Sequence, residues 1–142
     1  MPGRKTEKLD LRFWREFATE VLSVDLAEDR LRVNGGRLYY LPALNPDFGR
    51  LRTVHSGVWL GTFKKERFEP AHPLALFLKP GEAKSSLDLR ANSRELAAYL
   101  RGETLPTDLR GWTVVTVAGF PIGWGKGVQG ILKNHYPRGW MI

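Results

Sequence analysis

The chain has no cysteine. That absence removes a disulfide framework, a cysteine-based zinc site and a thiolate nucleophile together. It fits a cytoplasmic protein, and no secretory pattern opposes this, because the basic, polar run Met1 to Asp10 has no apolar core behind it. Long apolar runs are missing as well. The longest uncharged stretch, Gly111 to Gly125, has 15 residues and is broken by Pro121 and several glycines, whereas a membrane helix needs about 18 or more continuous apolar residues. No membrane association is expected. Acids are scarce where cations gather. Arg30 to Arg67 holds eight cations (Arg30, Arg32, Arg37, Arg50, Arg52, Lys64, Lys65 and Arg67) against Asp47 and Glu66, a block of +6 within a chain of net charge +7. The last 32 residues contain Lys126, Lys133 and Arg138 and no acid, for +3. A pI near 10.0 in one small domain is the electrostatic footprint of a polyanion binder. A solvated basic surface is the bland alternative.

What is present is ordinary globular material: 142 residues, 42% hydrophobic and 26% charged. A domain of this size buries about two thirds of its unfolded surface and needs no metal or disulfide to hold it. Leu9, Leu11, Phe13, Trp14, Phe17, Val21 and Leu22 recur at three- and four-residue spacing. They predict an amphipathic helix over Asp10 to Leu22 with Asp10 as its N-cap. Arg30 to Val33, Asn34-Gly35-Gly36 and Arg37 to Leu41 read as a β-hairpin whose Asn-Gly supplies the positive φ of a tight turn. Pro42 and Pro46 mark a loop, and Val54 to Phe63 a strand pair with Ser56-Gly57 as bulge or turn. Ala71 to Leu78 is a short helix with Pro73 in its first turn. Asn92 and Glu95 have capping-box spacing for a second short helix, Leu96 to Leu100, that stops at Gly102. Trp112 to Val117 reads as a buried strand, Gly119-Phe120-Pro121 as a turn into another, and Val128 to Leu132 as a third. The expected fold is α+β: a small curled mixed β-barrel with two or three short helices and an N-terminal amphipathic helix. Residues 1–25 form a helical extension and 26–142 the domain proper.

Catalytic constellations are hard to find. Gly125 to Gly130 formally matches GxGxxG, but only 12 residues follow, none acidic, so no βαβ unit exists to use it. The same glycines serve a strand that another backbone approaches closely. His55, His72 and His135 lack metal-ligand spacing. Glu66 and Glu69 lie among Lys64, Lys65 and Arg67 and read as ion-pair partners rather than an acid/base pair. No serine sits in a GxSxG elbow. Neither enzyme activity nor a cofactor is expected.

The tail from Phe120 to Trp140 interleaves aromatics with cations and amides and holds no negative charge. That mixture suits RNA: bases stack on aromatic planes, phosphates meet Lys and Arg, and Asn134 or Gln129 can read base edges. Core packing is the competing role for Trp124, Ile131, Leu132 and Tyr136.

The stretch Phe120 to Arg138, with GWGK at Gly123 to Lys126 and LKNHYP at Leu132 to Pro137, resembles the end of the RsmF-type (Sun/Fmu-related) bacterial rRNA cytosine-5 methyltransferases. GVWLG at Gly57 to Gly61, RFEP at Arg67 to Pro70 and YLRGE at Tyr99 to Glu103 agree in order. The resemblance runs from Arg30 to Arg138 and implies a PUA-like, RNA-binding accessory domain that places rRNA for a separate catalytic domain. Such enzymes use S-adenosylmethionine and an attacking cysteine, and this chain has neither that catalytic domain nor a cysteine. A stand-alone relative, favoured by Met1 and the Ile142 end, or a fragment of a longer enzyme would both fit, with a methyltransferase catalytic domain as partner in cis or in trans. Lys126, Lys133 and Arg138 are then the phosphate candidates, and Lys64, Lys65 and Arg67 a second set. Trp124, His135 and Tyr136 are stacking candidates and Asn134 a polar reader. Arg67 and Glu69 read more readily as a structural ion pair. The function expected is a non-catalytic RNA-binding module, for rRNA, accessory to rRNA modification or ribosome maturation. The alternative is a protein-interaction module, using the tail or the Phe13-Trp14-Phe17 face to dock on a methyltransferase, a ribosomal protein or a second copy.

Overall fold

The computed structural model describes residues 3–41 and 57–141, with side chains from Leu11 onward. The Pro42–Pro46 loop, His55 and the first part of the expected Val54–Phe63 pair lie outside the described residues. Helix α1 spans Gly3–Val21, beginning seven residues before the expected cap, so Asp10 lies within it. Arg, Lys and Glu between Gly3 and Asp10 are good helix formers and nothing there breaks the run. Its apolar face buries Trp14, Phe17 and Val21.

Strands β1 (Leu31–Asn34), β2 (Arg37–Tyr40), β3 (Val58–Lys64) and β4 (Arg67–Pro70) form an antiparallel sheet in sequence order. The expected hairpin is there, but its turn is Gly35-Gly36, at φ 62° and 79°, while Asn34 closes β1 opposite Arg37. Leu31, Leu38, Leu60 and Phe68 point from this sheet into the core. Helix α2 (His72–Phe77) carries Pro73 in its first turn, where no N–H is needed.

The second sheet joins β5 (Ser86–Leu89), β6 (Leu105–Pro106), β7 (Gly111–Val117), β8 (Phe120–Val128) and β9 (Ile131–Asn134) in the order β5-β7-β8-β9-β6. Only β5 and β7 run parallel. The third strand expected at Val128–Leu132 starts later, because Gln129 and Gly130, at φ 48° and 86°, make the turn. Helix α3 (Arg94–Leu100) is capped by Ser93, whose Oγ accepts the Leu96 N–H at 3.0 Å, not by Asn92. Asn92 takes a left-handed conformation instead, at φ 64°. The helix ends at Gly102 as expected, at φ 92°.

The architecture is α+β and mixed, with its strands divided between two sheets. One core lies between α1, α2, the first sheet and one face of the second, and includes Trp14, Phe17, Leu38, Phe68, Val114 and Trp124. The other lies under α3, on the opposite face of the second sheet, with Leu89, Tyr99, Leu105, Val115 and Leu132. The boundary read near residue 25 marks the end of α1, yet the chain changes sheets between Pro70 and Ser86, and α1 packs on both. The connecting segment is tied to the end of α1. Ser23 N–H donates to Glu82 O (2.9 Å), Lys84 N–H to Val21 O (2.8 Å) and Lys84 Nζ to Thr19 O (2.6 Å).

Candidate nucleic-acid interface

Strand register assembles the tail residues. Lys126 on β8 stands opposite Lys133 on β9 and opposite Trp112 on β7. Side chains two apart on a strand share a face, so Trp112, Lys126, Lys133 and His135 form one patch. Lys126 Nζ lies 5.0 Å from the Trp112 ring centre, and the His135 ring centre is 4.6 Å from it. Partial burial, helped by Lys126 and Lys133 and opposed by Glu69, holds the His135 imidazole below its usual pKa.

The second cationic set meets the first. Arg67, at the β3–β4 turn, lines the same groove as Lys126, a cavity of about 360 Å³ also bordered by Trp112, Arg110 and the α1 residues Glu16 and Glu20. Lys64 pairs with Arg67 across that hairpin and, like Lys65, is exposed. Arg138 is exposed in a C-terminal 3-10 turn, Arg138–Trp140, outside the groove. Arg67 and Glu69 form no ion pair. Among the described residues the pairs are Arg15–Glu28 and Arg101–Glu103. On β4 the two side chains stand two residues apart on one face, and only Arg67 lines the groove.

Three expected contacts change character. Trp124 is 1% exposed and donates its indole N–H to Ala71 O at 2.9 Å. It is a core residue and cannot receive a base. Asn134 is fully engaged within the fold: Nδ2 donates to Tyr99 O and Glu103 O, both at 2.9 Å, and Oδ1 accepts the Tyr136 N–H at 2.9 Å. It anchors the end of α3 to β9, with both amide N–H donors spent within the fold. Tyr136 is half-buried against Tyr99 and His72, with ring centres 5.3 and 5.8 Å away. His135 alone of the three stacking candidates keeps an exposed side chain. The Phe13-Trp14-Phe17 docking face is likewise closed, since Trp14 and Phe17 are 2% and 5% exposed.

The glycine run of β8 is explained by packing. A Cβ on Gly123 would strike the Tyr99 hydroxyl, one on Gly125 the Leu132 side chain, and one on Gly127 the backbone of Leu109 and Arg110. The formal GxGxxG is thus a strand of close approaches. The Tyr99 hydroxyl donates to Trp124 O at 2.9 Å, and burial raises its pKa.

Sequence reading missed Arg110, Trp112, Glu16 and Glu20 as groove residues. The β-branched neighbours of Trp112 on β7 make it read as buried strand. The one available signal was Arg110-Gly111-Trp112, a cation and an aromatic at a strand entrance. Among the described residues no three His, Asp or Glu side chains group as metal ligands, and no helix is long and apolar enough to cross a membrane.

Comparison with known proteins agrees with this architecture. Residues 12–78 match the family model described as the RsmF rRNA methyltransferase first C-terminal domain, and residues 86–142 match the methyltransferase RsmF PUA domain. The two models meet where the chain passes from one sheet to the other. The chain is also 31% identical over 121 residues to the ribosomal RNA small subunit methyltransferase F of Photobacterium profundum, an alignment covering 82% of this chain and 25% of that protein. The chain spans about a quarter of the length of this curated relative. Through a first C-terminal domain carrying the β1–β4 sheet and a PUA domain carrying the β5–β9 sheet, the chain belongs to the RsmF methyltransferase C-terminal family.

Proposed function

We propose that this chain is a non-catalytic RNA-binding module that grips ribosomal RNA for a methyltransferase acting in cis or in trans. The observation that carries the reading is the patch of Lys126, Lys133 and His135 around Trp112, extended by Arg67 and Arg110 from neighbouring elements. Cations positioned by strand register hold phosphates, and a flanking aromatic offers a stacking surface. The relative's activity on small-subunit rRNA supports ribosomal RNA as the ligand and the cytoplasm as the setting. Lys126, Lys133 and Arg67 carry the central phosphate contacts, with Lys64, Lys65 and Arg138 as outlying ones and His135 beside the bases. The role in rRNA modification is to place substrate, since the catalytic chemistry needs groups that this chain does not contain.

The test is binding to a small-subunit rRNA fragment and to duplex DNA of equal charge across a salt series. Tighter binding to the RNA is expected. Replacing two phosphate-contacting lysines in Lys126→Gln/Lys133→Gln should lower the slope of log K against log salt by about 1.4, which near 0.1 M salt is roughly a 25-fold loss. Equal, weak binding to both polymers, or an unchanged slope in the double variant, would refute the assignment.

A further inference from the structure

We infer that the groove between α1, the β3–β4 turn and the start of β7 is a nucleobase pocket that accepts one unpaired, donor-bearing base, guanine before the others. The inference rests on the RNA-binding reading and adds a base-selective element to it.

The groove's volume of about 360 Å³ falls within the range of small-ligand pockets, roughly 300–1,000 Å³. Its apolar wall includes Trp112 and Phe13, its cations are Arg67, Arg110 and Lys126, and its carboxylates are Glu16, Glu20 and Glu66. Opposite charges sharing so small a space would ordinarily pair. Among the described residues, none of these three carboxylates forms an ion pair or accepts a hydrogen bond. Glu16 and Glu20 also stand one helical turn apart, an arrangement that costs helix stability. The helix itself therefore gains nothing from placing Glu16 and Glu20 together.

A ligand that satisfies both sets must bring negative charge and hydrogen-bond donors together. A bare phosphate chain engages only the cations, and a basic peptide only the carboxylates. A nucleotide has both: its phosphate reaches Arg67, Arg110 or Lys126 while the base lies along Trp112 and turns its donor edge to α1. Unpaired RNA bases are read in this way, by an aromatic plane and by hydrogen bonds to the Watson–Crick edge. Guanine offers N1–H and N2–H together, matching the two oxygens of one carboxylate. Adenine and cytosine offer one amino group and uracil one ring N–H. The pocket draws on both family-defined halves, since α1 and the β3–β4 turn belong to the first and β7 and β8 to the second.

The experiment measures the affinity of the intact chain for three fluorescent RNA 10-mers at one moderate salt concentration: all uridine, uridine with one central guanosine, and the same with inosine, which lacks the N2 amino group. The guanosine oligomer should bind about fivefold or more tighter than the uridine one, the scale set by a good bidentate base contact, with inosine between them. In Glu16→Gln/Glu20→Gln the preference should vanish while uridine affinity holds or rises, because both side chains are exposed and two negative charges are lost. Glu66→Gln, on a different element, should reduce the preference independently. Binding of all three oligomers without preference overturns the pocket and leaves the RNA reading standing, as does a preference that survives in both variants. Failure to bind any oligomer or an rRNA fragment overturns both.

Discussion

Trp124 offers the sharpest separation of a structural role from a functional one, because its sequence context suits either. Its side chain is 1% exposed, and it meets Phe17 and Trp112 edge-on with ring centres 6.1 and 6.0 Å away. Truncation to alanine should cost about 3–5 kcal/mol, the range for emptying an aromatic site in a core. Phenylalanine isolates the hydrogen bond and part of the volume. Ala71 O also accepts the Leu74 N–H at 3.1 Å, so loss of the indole donor does not orphan that carbonyl. The lost bond then costs about 1 kcal/mol, rather than the larger penalty of a buried unsatisfied group. With the smaller ring leaving some space, Trp124→Phe should lose about 2 kcal/mol in total. Each kcal/mol lowers the melting temperature of a chain this size by about 3–4 °C, so thermal unfolding by circular dichroism should give a drop of about 7 °C for phenylalanine and more than about 10 °C for alanine. RNA affinity per folded molecule should stay constant in Trp124→Phe. A variant that keeps its melting temperature but loses RNA affinity would show that Trp124 is a contact residue and that the core assignment is mistaken.

The remaining predictions concern β8 and the histidines. Gly127→Ala should destabilise the chain by about 3 kcal/mol or more, since its Cβ would enter the Leu109–Arg110 backbone, which cannot turn aside as a side chain can. A chemical denaturation midpoint unchanged from wild type would contradict the close approach. His72 and His135 are both held below the usual imidazole pKa by burial, and among the described residues both His72 ring nitrogens are buried without a hydrogen-bond partner. The unfolded chain takes up protons more readily than the folded one, so the stability from neutral imidazoles is complete above about pH 6.5 and declines as pH falls through that value. Melting temperature should fall between about pH 7.5 and 5.5, less steeply in His72→Phe. Equal slopes in the two proteins would argue against the desolvated environment of His72.

Much of the fold was legible because local rules governed it. The helical spacing of Trp14, Phe17 and Val21, the hairpin around Asn34-Gly35-Gly36, Pro73 at a helix start and Gly102 at a helix end each act within a few residues. Errors arose where local rules compete: Ser93 beside Asn92 for one cap, and good helix formers extending α1 past Asp10. Strands β5 and β6 were missed because each is short and its pairing is remote. Ser86–Leu89 is a strand only by virtue of β7, and Leu105-Pro106 only by virtue of β9. The interface was half legible. Charge and composition singled out Lys126, Lys133 and Arg67, but composition does not say which face a residue occupies. Register and burial assigned Trp124 and Asn134 to the fold and brought Trp112 and Arg110 to the groove.

The packing of α1 against β8 also sets a timetable for synthesis. Phe17 meets Trp124, about a hundred residues later in the chain, and translation proceeds at about 5–20 residues per second. The apolar stripe of the helix therefore leaves the ribosome roughly 5–20 s before its final partner exists. During that interval Trp14 and Phe17 can already meet the first sheet, through Phe68. Full burial of Phe17 therefore waits for β8.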